Sequence, residues 1–358
     1  MSTPGTDEVV ITALEALSPV GHSAVATCAA LRARISRFQE HPSYLPHLRE
    51  LFASSPEKAR VAYVPPFQVR NTRGQRLMEL ALPPMKALMA GAGLTRKDLE
   101  TTRFLFSLPA PRDGRDAPGA GQDFVRAYLE RLALPDTVPC HLHQEGQTGM
   151  FTALAEAMDC LRREACRYCV LVGVESYLDT DTLRGLDDAW RLKSERNVDG
   201  FIPGECATVL LLETRRNARA RERQVLGRIR GLATGTEPQP IGGERLSTGR
   251  GLTKAIRGAL AASAEPEGFW TLCDLNGESY RAHEWGLALA RLGPLLEPQR
   301  ALWHPGDCIG DVGAASGGLY LTMACRAFSR GYAPAKRALL WSSADNGGRA
   351  ACVVDHPT

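Results

Sequence analysis

The spacing of apolar residues predicts short buried strands that alternate with amphipathic helices. Near-continuous apolar runs at 9–14, Cys169–Ser176 and 207–213 are typical of strands that are covered on both faces. After Gly149, apolar residues recur every three or four positions, which is the spacing of one buried helix face. The residues of that face are Met150, Leu154, Met158 and Leu161. Strands and helices in alternation favour a layered α/β fold.

The same order of elements starts again in the second part of the chain. Strand-like runs, helical segments and Gly-rich turns follow one another at 225–234, 253–262, 269–277, 314–328 and 338–354. This repetition predicts an internal duplication, with one half at 1–215 and the other at 216–358. We expect the first half to carry an insertion or cap at about 36–125. The prolines at 83 and 84 are expected to break the helix that is predicted for 76–92.

Composition narrows the class of protein. The 358 residues are 44% hydrophobic and 23% charged, which is typical of a globular protein. A net charge of +3 is too small to indicate a nucleic-acid partner, and the arginine-rich stretch at 214–224 is expected to be a solvated connector. We find no secretion signal and no apolar run that approaches the roughly 20 residues needed to span a membrane. Ten scattered cysteines indicate reduced thiols. We therefore expect a cytoplasmic protein without a membrane or nucleic-acid partner.

Four segments resemble, in order, those of the β-ketoacyl synthases of the thiolase-like superfamily. They are "VVITALEALSPVG" at 9–21, "DGFIPGECATVLLLE" at 199–213, "GDVGAASGG" at 310–318 and "SSADNGG" at 342–348. Together they span nearly the whole chain. The resemblance implies a five-layer α/β/α/β/α sandwich made of two similar halves. It also implies a homodimer formed through the strand near Val138 to Gln144.

The resemblance also locates the family's catalytic residues, and each of them is replaced. The positions of its cysteine, first histidine, lysine and second histidine correspond to Gly146, Asn276, Gly306 and Asp311. The family's chemistry needs a thiolate at a helix N-terminus, and glycine has no side chain that could act as a nucleophile. We therefore expect a catalytically inactive protein.

Gln147 leaves one alternative open. Chain-length factors and loading-module decarboxylases are relatives that carry glutamine in place of the cysteine. A shift of the alignment by one residue would give Gln147 that role, although Gly149 would then stand one position too early. Even so, Asn276 and Asp311 would not match an active decarboxylase, because those enzymes keep their histidines.

The implied fold would gather polar residues in one pocket. The candidates are Glu145, Gln147, Asn276, Glu278, His283, Asp311, Asp345 and Asn346. Such a pocket could bind a ligand, or catalyse hydrolysis with Asp311 as the base. The favoured interpretation is that these polar residues have replaced an unused catalytic site.

Two short motifs raise the question of metal or redox chemistry. His141, His143 and Glu145 alternate, so they would share one side of a strand, and imidazole with carboxylate suits zinc or iron. Cys166 and Cys169 form a C-x-x-C motif that could be redox-active. The favoured interpretations are polar pairing along a dimer seam and two unlinked thiols. We therefore expect no bound metal and no cofactor.

Protein binding is the function that these observations favour. The favoured hypothesis is an inactive scaffold or adaptor, for instance an accessory protein of a bacterial secretion system such as type VI. The first alternative is a subunit like a chain-length factor, which would pair with an active synthase or an acyl carrier protein. The second alternative is a divergent enzyme that uses the remodelled polar pocket.

Overall fold

The computed structural model describes residues 8–46, 58–66, 72–111, 119–195, 197–261, 268–297 and 299–357. Its strands are β1 (Val9–Leu17), β2 (Gln39–Glu40), β3 (Arg60–Val61), β4 (Arg103–Ser107), β5 (Cys140–His143), β6 (Cys169–Ser176), β7 (Glu205–Thr214), β8 (Gly227–Thr236), β9 (Phe269–Cys273), β10 (Gln299–Trp303), β11 (Arg337–Ser343) and β12 (Gly348–Asp355). Its helices are α1 (Ala24–Arg32), α2 (Arg73–Gly91), α3 (Arg96–Glu100), α4 (Ala120–Arg131), α5 (Gly149–Arg162), α6 (Thr180–Asp188), α7 (Arg215–Ala220), α8 (Arg250–Ala261), α9 (Ser279–Leu292), α10 (Gly306–Ile309) and α11 (Ser316–Ser329).

Ten of these strands form one mixed sheet that contains the same pattern twice. Their order is β10-β9-β11-β12-β8-β1-β7-β6-β4-β5 within the described residues. We call β1, β4, β5, β6 and β7 the N-terminal set, and β8 to β12 the C-terminal set. In each set the first strand is antiparallel to the fifth, the fifth is antiparallel to the fourth, and the second is parallel to its two neighbours. In the described part of the chain, the strands of the two sets are hydrogen-bonded to each other only in a short β1–β8 pairing. This repeated order is the structural form of the predicted duplication.

Helices cover both faces of each set and produce five layers. Strand residues alternate between two cores, so that Leu105 packs towards α5 while Phe104 and Phe106 pack towards α2 and α4. Helices α8 and α9 cover the outer face of the C-terminal set, where Leu252 and Trp285 are buried. Helices α1, α5 and α11 lie between the two sets, in a core that includes residues of both. The predicted α/β/α/β/α sandwich is confirmed.

The two central helices repeat one another in detail. Helices α5 and α11 both have 14 residues, and each follows a three-residue 3-10 turn. Each turn starts with a glycine at positive φ, Gly146 at +56° and Gly313 at +43°. Because these turns lead into the middle layer from opposite sets, they come together at the centre of the molecule, where Ser107 Oγ donates to the Ala314 carbonyl at 2.9 Å.

One prediction was wrong in the region before β4. Helix α2 continues through Pro83 and Pro84, because a face that includes Leu80 and Met85 is buried against the sheet and outweighs the loss of helix hydrogen bonds. The insertion or cap at about 36–125 stays a prediction, and that range contains α2 and the sheet strand β4. Part of it, at 47–57, 67–71 and 112–118, lies outside the described residues.

Two other predictions concern the domain boundary and the absence of a membrane-spanning segment. The predicted boundary between 215 and 216 falls within α7, just after the last strand of the N-terminal set, and a division into domains there stays a prediction. Among the described residues, no helix combines the length and apolar character that crossing a bilayer requires.

One backbone crossing positions the residues of the later site. The segment that leads into β7 passes over the segment after α10, with Asp311 N–H donating to the Ile202 carbonyl and Gly204 N–H donating to the Asp311 carbonyl, both at 2.9 Å. A Cβ at Gly204 would lie 2.1 Å from the Ile309 carbonyl oxygen, and one at Gly310 would lie 2.3 Å from the Ile202 carbonyl oxygen. Glycine is therefore required on both sides of the crossing.

We predict that Gly204→Ala lowers the free energy of unfolding by about 1–3 kcal/mol, because the added methyl group has to push two backbones apart. The matched control is Gly286→Ala, in the interior of α9, where an added Cβ meets no described atom within 4 Å. That exchange should stabilise the protein by about 0.5–1 kcal/mol. Urea unfolding measures both values, and an equal effect of the two exchanges would contradict the close approach.

Candidate functional site

Asn276 is at the centre of a polar cluster at the ends of the C-terminal strands. Its Nδ2 donates to Asp311 Oδ2 at 2.8 Å and to Glu278 Oε2 at 3.0 Å. Its Oδ1 accepts the Glu278 backbone N–H at 3.1 Å. Both Nδ2 protons are therefore used within the protein. An amide bound in this way is oriented by its neighbours and keeps no donor for a ligand.

Asp311 is held equally firmly. Its Oδ1 accepts the Gly313 N–H at 2.8 Å, while its Oδ2 accepts the bond from Asn276. Only 5% of the residue is exposed, and its backbone is fixed by the crossing with Gly204. The carboxylate considered as a base therefore has both oxygens engaged at the start of the turn that leads into α11.

Arg191 closes the outer side of the cluster. Its guanidinium contacts Glu278 through two bonds of 2.7 and 2.9 Å and Asp345 through bonds of 2.7 and 3.3 Å. Two bidentate pairs on one arginine fix both carboxylates in place. Arg191 thus joins the chain before β7 to the turn between β11 and β12.

Arg281, on α9, lies beneath the cluster and is 2% exposed. Its guanidinium contacts Asp274 at 2.9 Å, Asp345 at 3.1 Å and Glu278 at 3.4 Å, and Asp311 lies 3.9 Å away. A buried arginine needs such partners, because an unpaired charge in the interior is costly. The four carboxylates around Arg281 are thereby tied into one ion-pair network with Arg191.

The space left beside Asn276 and Asp311 is very small. The cavity measures about 10 Å³ and is lined by residues that include Gly306 and Tyr320. Sites for small molecules usually measure about 300–1,000 Å³. A Cβ at Gly306, where the resemblance places a lysine, would lie 3.1 Å from the Leu275 carbonyl oxygen. The geometry therefore leaves little free volume beside Asn276 and Asp311 at this end of the cluster.

The turn at Gly146 differs from this filled cavity. Among the described residues, no atom lies within 4 Å of a Cβ built on Gly146, although the φ of +56° is unfavourable for a side chain. Gln147 is 3% exposed and its Nε2 donates to the Tyr177 hydroxyl at 3.3 Å. The side chain that could have substituted for the cysteine is therefore bound to Tyr177.

Glu175 and Asp274 are buried carboxyl groups whose pKa is raised. Burial raises the pKa of Glu175 to about 7, although Arg73 and the Ala314 N–H partly offset that effect. Burial also raises the pKa of Asp274 to about 7, against the opposing effect of Arg281. Both groups lie at strand ends, Glu175 in β6 and Asp274 directly after β9. Their side chains support the turns at Ala314 and Ser343 through backbone hydrogen bonds.

The structure brings together part of the predicted pocket. Asn276, Glu278, Asp311 and Asp345 converge as described above. His283 does not join them, because it is exposed on α9, two residues after the buried Arg281 and one before the buried Glu284. Asn346 is also exposed, and its Oδ1 accepts the Gly348 N–H. Glu145 lies beside His143 instead, with 3.9 Å between Oε1 and Nδ1.

Sequence reasoning missed the residues that hold the cluster together. Arg191 lies outside all recognised motifs, so nothing in the sequence pointed to it. Arg281 and Asp274 did carry a signal, because they flank the segment of Asn276 and Glu278 within the same strand–turn–helix unit. Among the acids at strand ends, Glu175 could have been considered for the same reason.

The histidine and cysteine motifs take positions away from this cluster. His141 and His143 share one side of β5, as predicted, but the carboxylate between them belongs to Glu156 of α5. Cys166 and Cys169 lie with their Sγ atoms 3.3 Å apart, without a disulfide.

We predict that the Glu175→Gln variant becomes relatively more stable as the pH rises. A folded-state pKa of about 7, above the ordinary 4.5, means that the folded protein keeps a proton which the unfolded chain has already lost. The contribution of Glu175 to the free energy of unfolding of the wild type is therefore lost between pH 5 and 7. Over that window, the free energy of unfolding of the variant should rise by roughly 2 kcal/mol relative to that of the wild type. Urea unfolding at several pH values measures the difference, and the exchange Glu244→Gln at an exposed residue is the control. A difference that does not change with pH would contradict the burial of this charge.

Comparison with solved structures identifies the fold that carries this cluster. The oxazolomycin ketosynthase domain OzmH KS7 of Streptomyces albus JA3453 matches with a TM-score of 0.79 and 16% identity, over 98% of this chain and 75% of that one. The ishigamide ketosynthase/chain length factor matches with a TM-score of 0.81 and 16% identity, over 97% and 98%. AntDE, a type II ketosynthase in complex with the acyl-carrier protein AntF, matches with a TM-score of 0.76 and 15% identity, over 97% and 98%. Neither a protein-family model nor a curated protein sequence matches the chain. The chain therefore has the thiolase-like fold of the ketosynthases.

Proposed function

We propose that this protein is a non-catalytic ketosynthase-fold subunit that works by binding another protein. The observation that carries the proposal is the cavity of about 10 Å³ at the position where the family holds its catalytic groups. There Asn276 and Asp311 are bonded to each other, and neither Gly146 nor Gly306 has a side chain. Binding of a substrate would have to begin by breaking these contacts.

The ion pairs around the cavity argue against a divergent enzyme that uses the same pocket. Arg281 is 2% exposed, and Glu278 has bonds to it and to Arg191. Removing one partner of a buried ion pair typically costs about 3–5 kcal/mol. Opening the site for a substrate would require a free energy of this size before any chemistry began. The network is therefore better suited to stabilising the fold than to catalysis.

The edge of the sheet offers a surface for protein binding. Strand β5 is the edge strand of the sheet on the side of the N-terminal set, and the described residues place no strand on its outer side. The carbonyls of Pro139 and His143 accept hydrogen bonds from the β4 side, so the alternate residues Cys140 and Leu142 turn their backbone groups outward. A second strand could add along this edge.

The partner that this proposal favours is a second chain of the same fold, paired along β5. It would be another copy of this protein, or an active synthase as in the alternative of a chain-length-factor-like subunit. Two of the similar structures, by their descriptions, are a ketosynthase/chain length factor and a ketosynthase with an acyl-carrier protein. An adaptor for a secretion system, type VI included, would use the same rigid surface with an unrelated partner.

We predict that the purified protein shows no acyl transfer and no decarboxylation above background. It would be incubated with radiolabelled acyl-CoA, and with malonyl groups on an acyl carrier protein, beside an intact ketosynthase as the positive control. Covalent label and released CO₂ are measured, with Gln147→Ala as the matched variant. The expected result is the same background signal for wild type and variant, because the polar groups of the site are engaged with one another.

Either of two results would overturn this part of the proposal. Covalent labelling of the wild type would show that it has another nucleophile. If the wild type released CO₂ and Gln147→Ala did not, Gln147 would have the role that glutamine has in loading-module decarboxylases.

We further predict that Cys140→Lys abolishes pairing along β5, because a charged side chain at an exposed edge opposes strand addition. Multi-angle light scattering should give wild type a mass of twice 38.9 kDa when it pairs with itself, or of 38.9 kDa plus the mass of the synthase when it pairs with a synthase of the same organism. Ala290→Lys, at an exposed position of α9, adds the same charge and should pair normally. A wild type that stays monomeric in both experiments, or a Cys140→Lys variant that pairs like wild type, would contradict the proposed surface.

A further inference from the structure

Three potential metal ligands meet at the sheet edge, far from Asn276 and Asp311 in sequence. Glu156 Oε2 lies 2.5 Å from His141 Nδ1 and 3.0 Å from His143 Nε2. The two imidazole rings are 4.7 Å apart between centroids. All three ligand atoms lie within 4.8 Å of one another, and no other such group occurs within the part of the chain that the structure describes.

The local structure explains why these three side chains converge. On β5, residues i and i+2 project from the same face, which aligns His141 with His143. Helix α5 packs against this part of the sheet and presents Glu156 to that face. The two histidines come from the strand and the carboxylate from the helix, so a bound ion would join β5 to α5.

The carboxylate is oriented by a partner on its other oxygen. Arg103 donates to Glu156 Oε1 through Nε at 2.9 Å, and its Nη2 forms an ion pair with the same oxygen at 2.7 Å. Oε1 is therefore occupied, and Oε2 is the oxygen that faces both histidines. Outer partners of this kind are a regular part of protein metal sites, because they fix the orientation of the ligands.

His143 has an outer partner as well. It is 6% exposed at the side chain, and its Nδ1 faces Glu145 Oε1 at 3.9 Å while its Nε2 faces Glu156. Within the described residues, Glu145 Oε2 is buried without a hydrogen-bond partner. A carboxylate behind a ligating histidine is the arrangement that selects the Nε2 lone pair for the metal. Glu145, taken as a ligand from the sequence, thus has the place of a supporting group.

From this geometry we propose that His141, His143 and Glu156 form a zinc site. At Zn–N and Zn–O distances of about 2.0–2.1 Å, tetrahedral ligand atoms lie about 3.3 Å apart. The distances from Glu156 Oε2 to His143 Nε2 and His141 Nδ1 are 3.0 and 2.5 Å, and the two histidine nitrogens lie within 4.8 Å of each other, so a movement of His141 would adjust the set to an ion. His141 can make that change because its side chain is 55% exposed.

The donor set identifies the class of ion. Two imidazoles and one carboxylate suit zinc and related borderline transition metals, whereas magnesium and calcium prefer sites built from oxygen. Three protein ligands leave a fourth position, which faces solvent beside the exposed His141. Water would occupy that position in the single chain. The proposal does not depend on the function proposed above.

The test uses the full-length protein after removal of metal with a chelator. Zinc is titrated in competition with a chromophoric chelator, and metal content is measured by mass spectrometry after gel filtration. We expect one zinc per chain, and affinity at least about 100-fold weaker in His141→Ala. The same variant should lose the zinc-dependent rise in unfolding temperature that wild type shows. Glu145→Gln should weaken binding by about 10–100-fold, as expected for a supporting group.

Two control variants make the test specific. His283→Ala removes an exposed histidine of α9, and it should bind zinc like wild type. The double variant Cys166→Ser and Cys169→Ser removes the thiols of the C-x-x-C motif, and it should also retain the zinc. Wild type without zinc, zinc retained in His141→Ala, or zinc lost only in the cysteine variant would each overturn the assignment.

Discussion

The charge of Arg281 is buried deep in the C-terminal half, and most of the polar architecture follows from the need to compensate it. Its contacts with Asp274, Asp345 and Glu278 bring together a strand end, a hairpin turn and the start of α9. A lone guanidinium in this place would be several kcal/mol less stable than in water. The carboxylates therefore serve as structural partners, and Arg191 binds the two that Arg281 leaves partly satisfied.

The same constraint explains why the site is closed. In a fold with a catalytic pocket, polar groups have to stay available to a substrate. Here Asn276 uses both donor protons within the protein, and Asp311 has an acceptor bond on each oxygen. The close packing of two backbone segments also closes the site, because Gly204 and Gly310 allow the chain to cross directly above Asp311. The filled cavity is a consequence of ion pairing and close packing together.

Much of the fold could be predicted from the sequence, because its signals are local and repeated. Apolar strands and the glycine turns before α5 and α11 are visible in the residues themselves, as is the order of segments that carries the resemblance. The continuous helix through Pro83 and Pro84 could not be predicted, since its stability comes from burial against strands that are distant in sequence. For the site, Asn276, Glu278 and Asp311 were found through their motifs. Arg191 was not found, because its position depends on tertiary contacts 87 and 154 residues away.

At the sheet edge, too, the sequence could not predict a tertiary contact, as Glu156 shows. The helical spacing puts Glu156 opposite the buried face of α5, a position at which side chains usually face solvent. The side chain instead lies against β5, because the helix packs beside an edge strand whose outer residues are polar. Polar residues thus concentrate in two places, a network of ion pairs at the ends of the C-terminal strands and the group of His141, His143 and Glu156 at the edge of the sheet. The ion pairs keep the first place rigid, and the exposed edge is where interactions can form without disturbing the core.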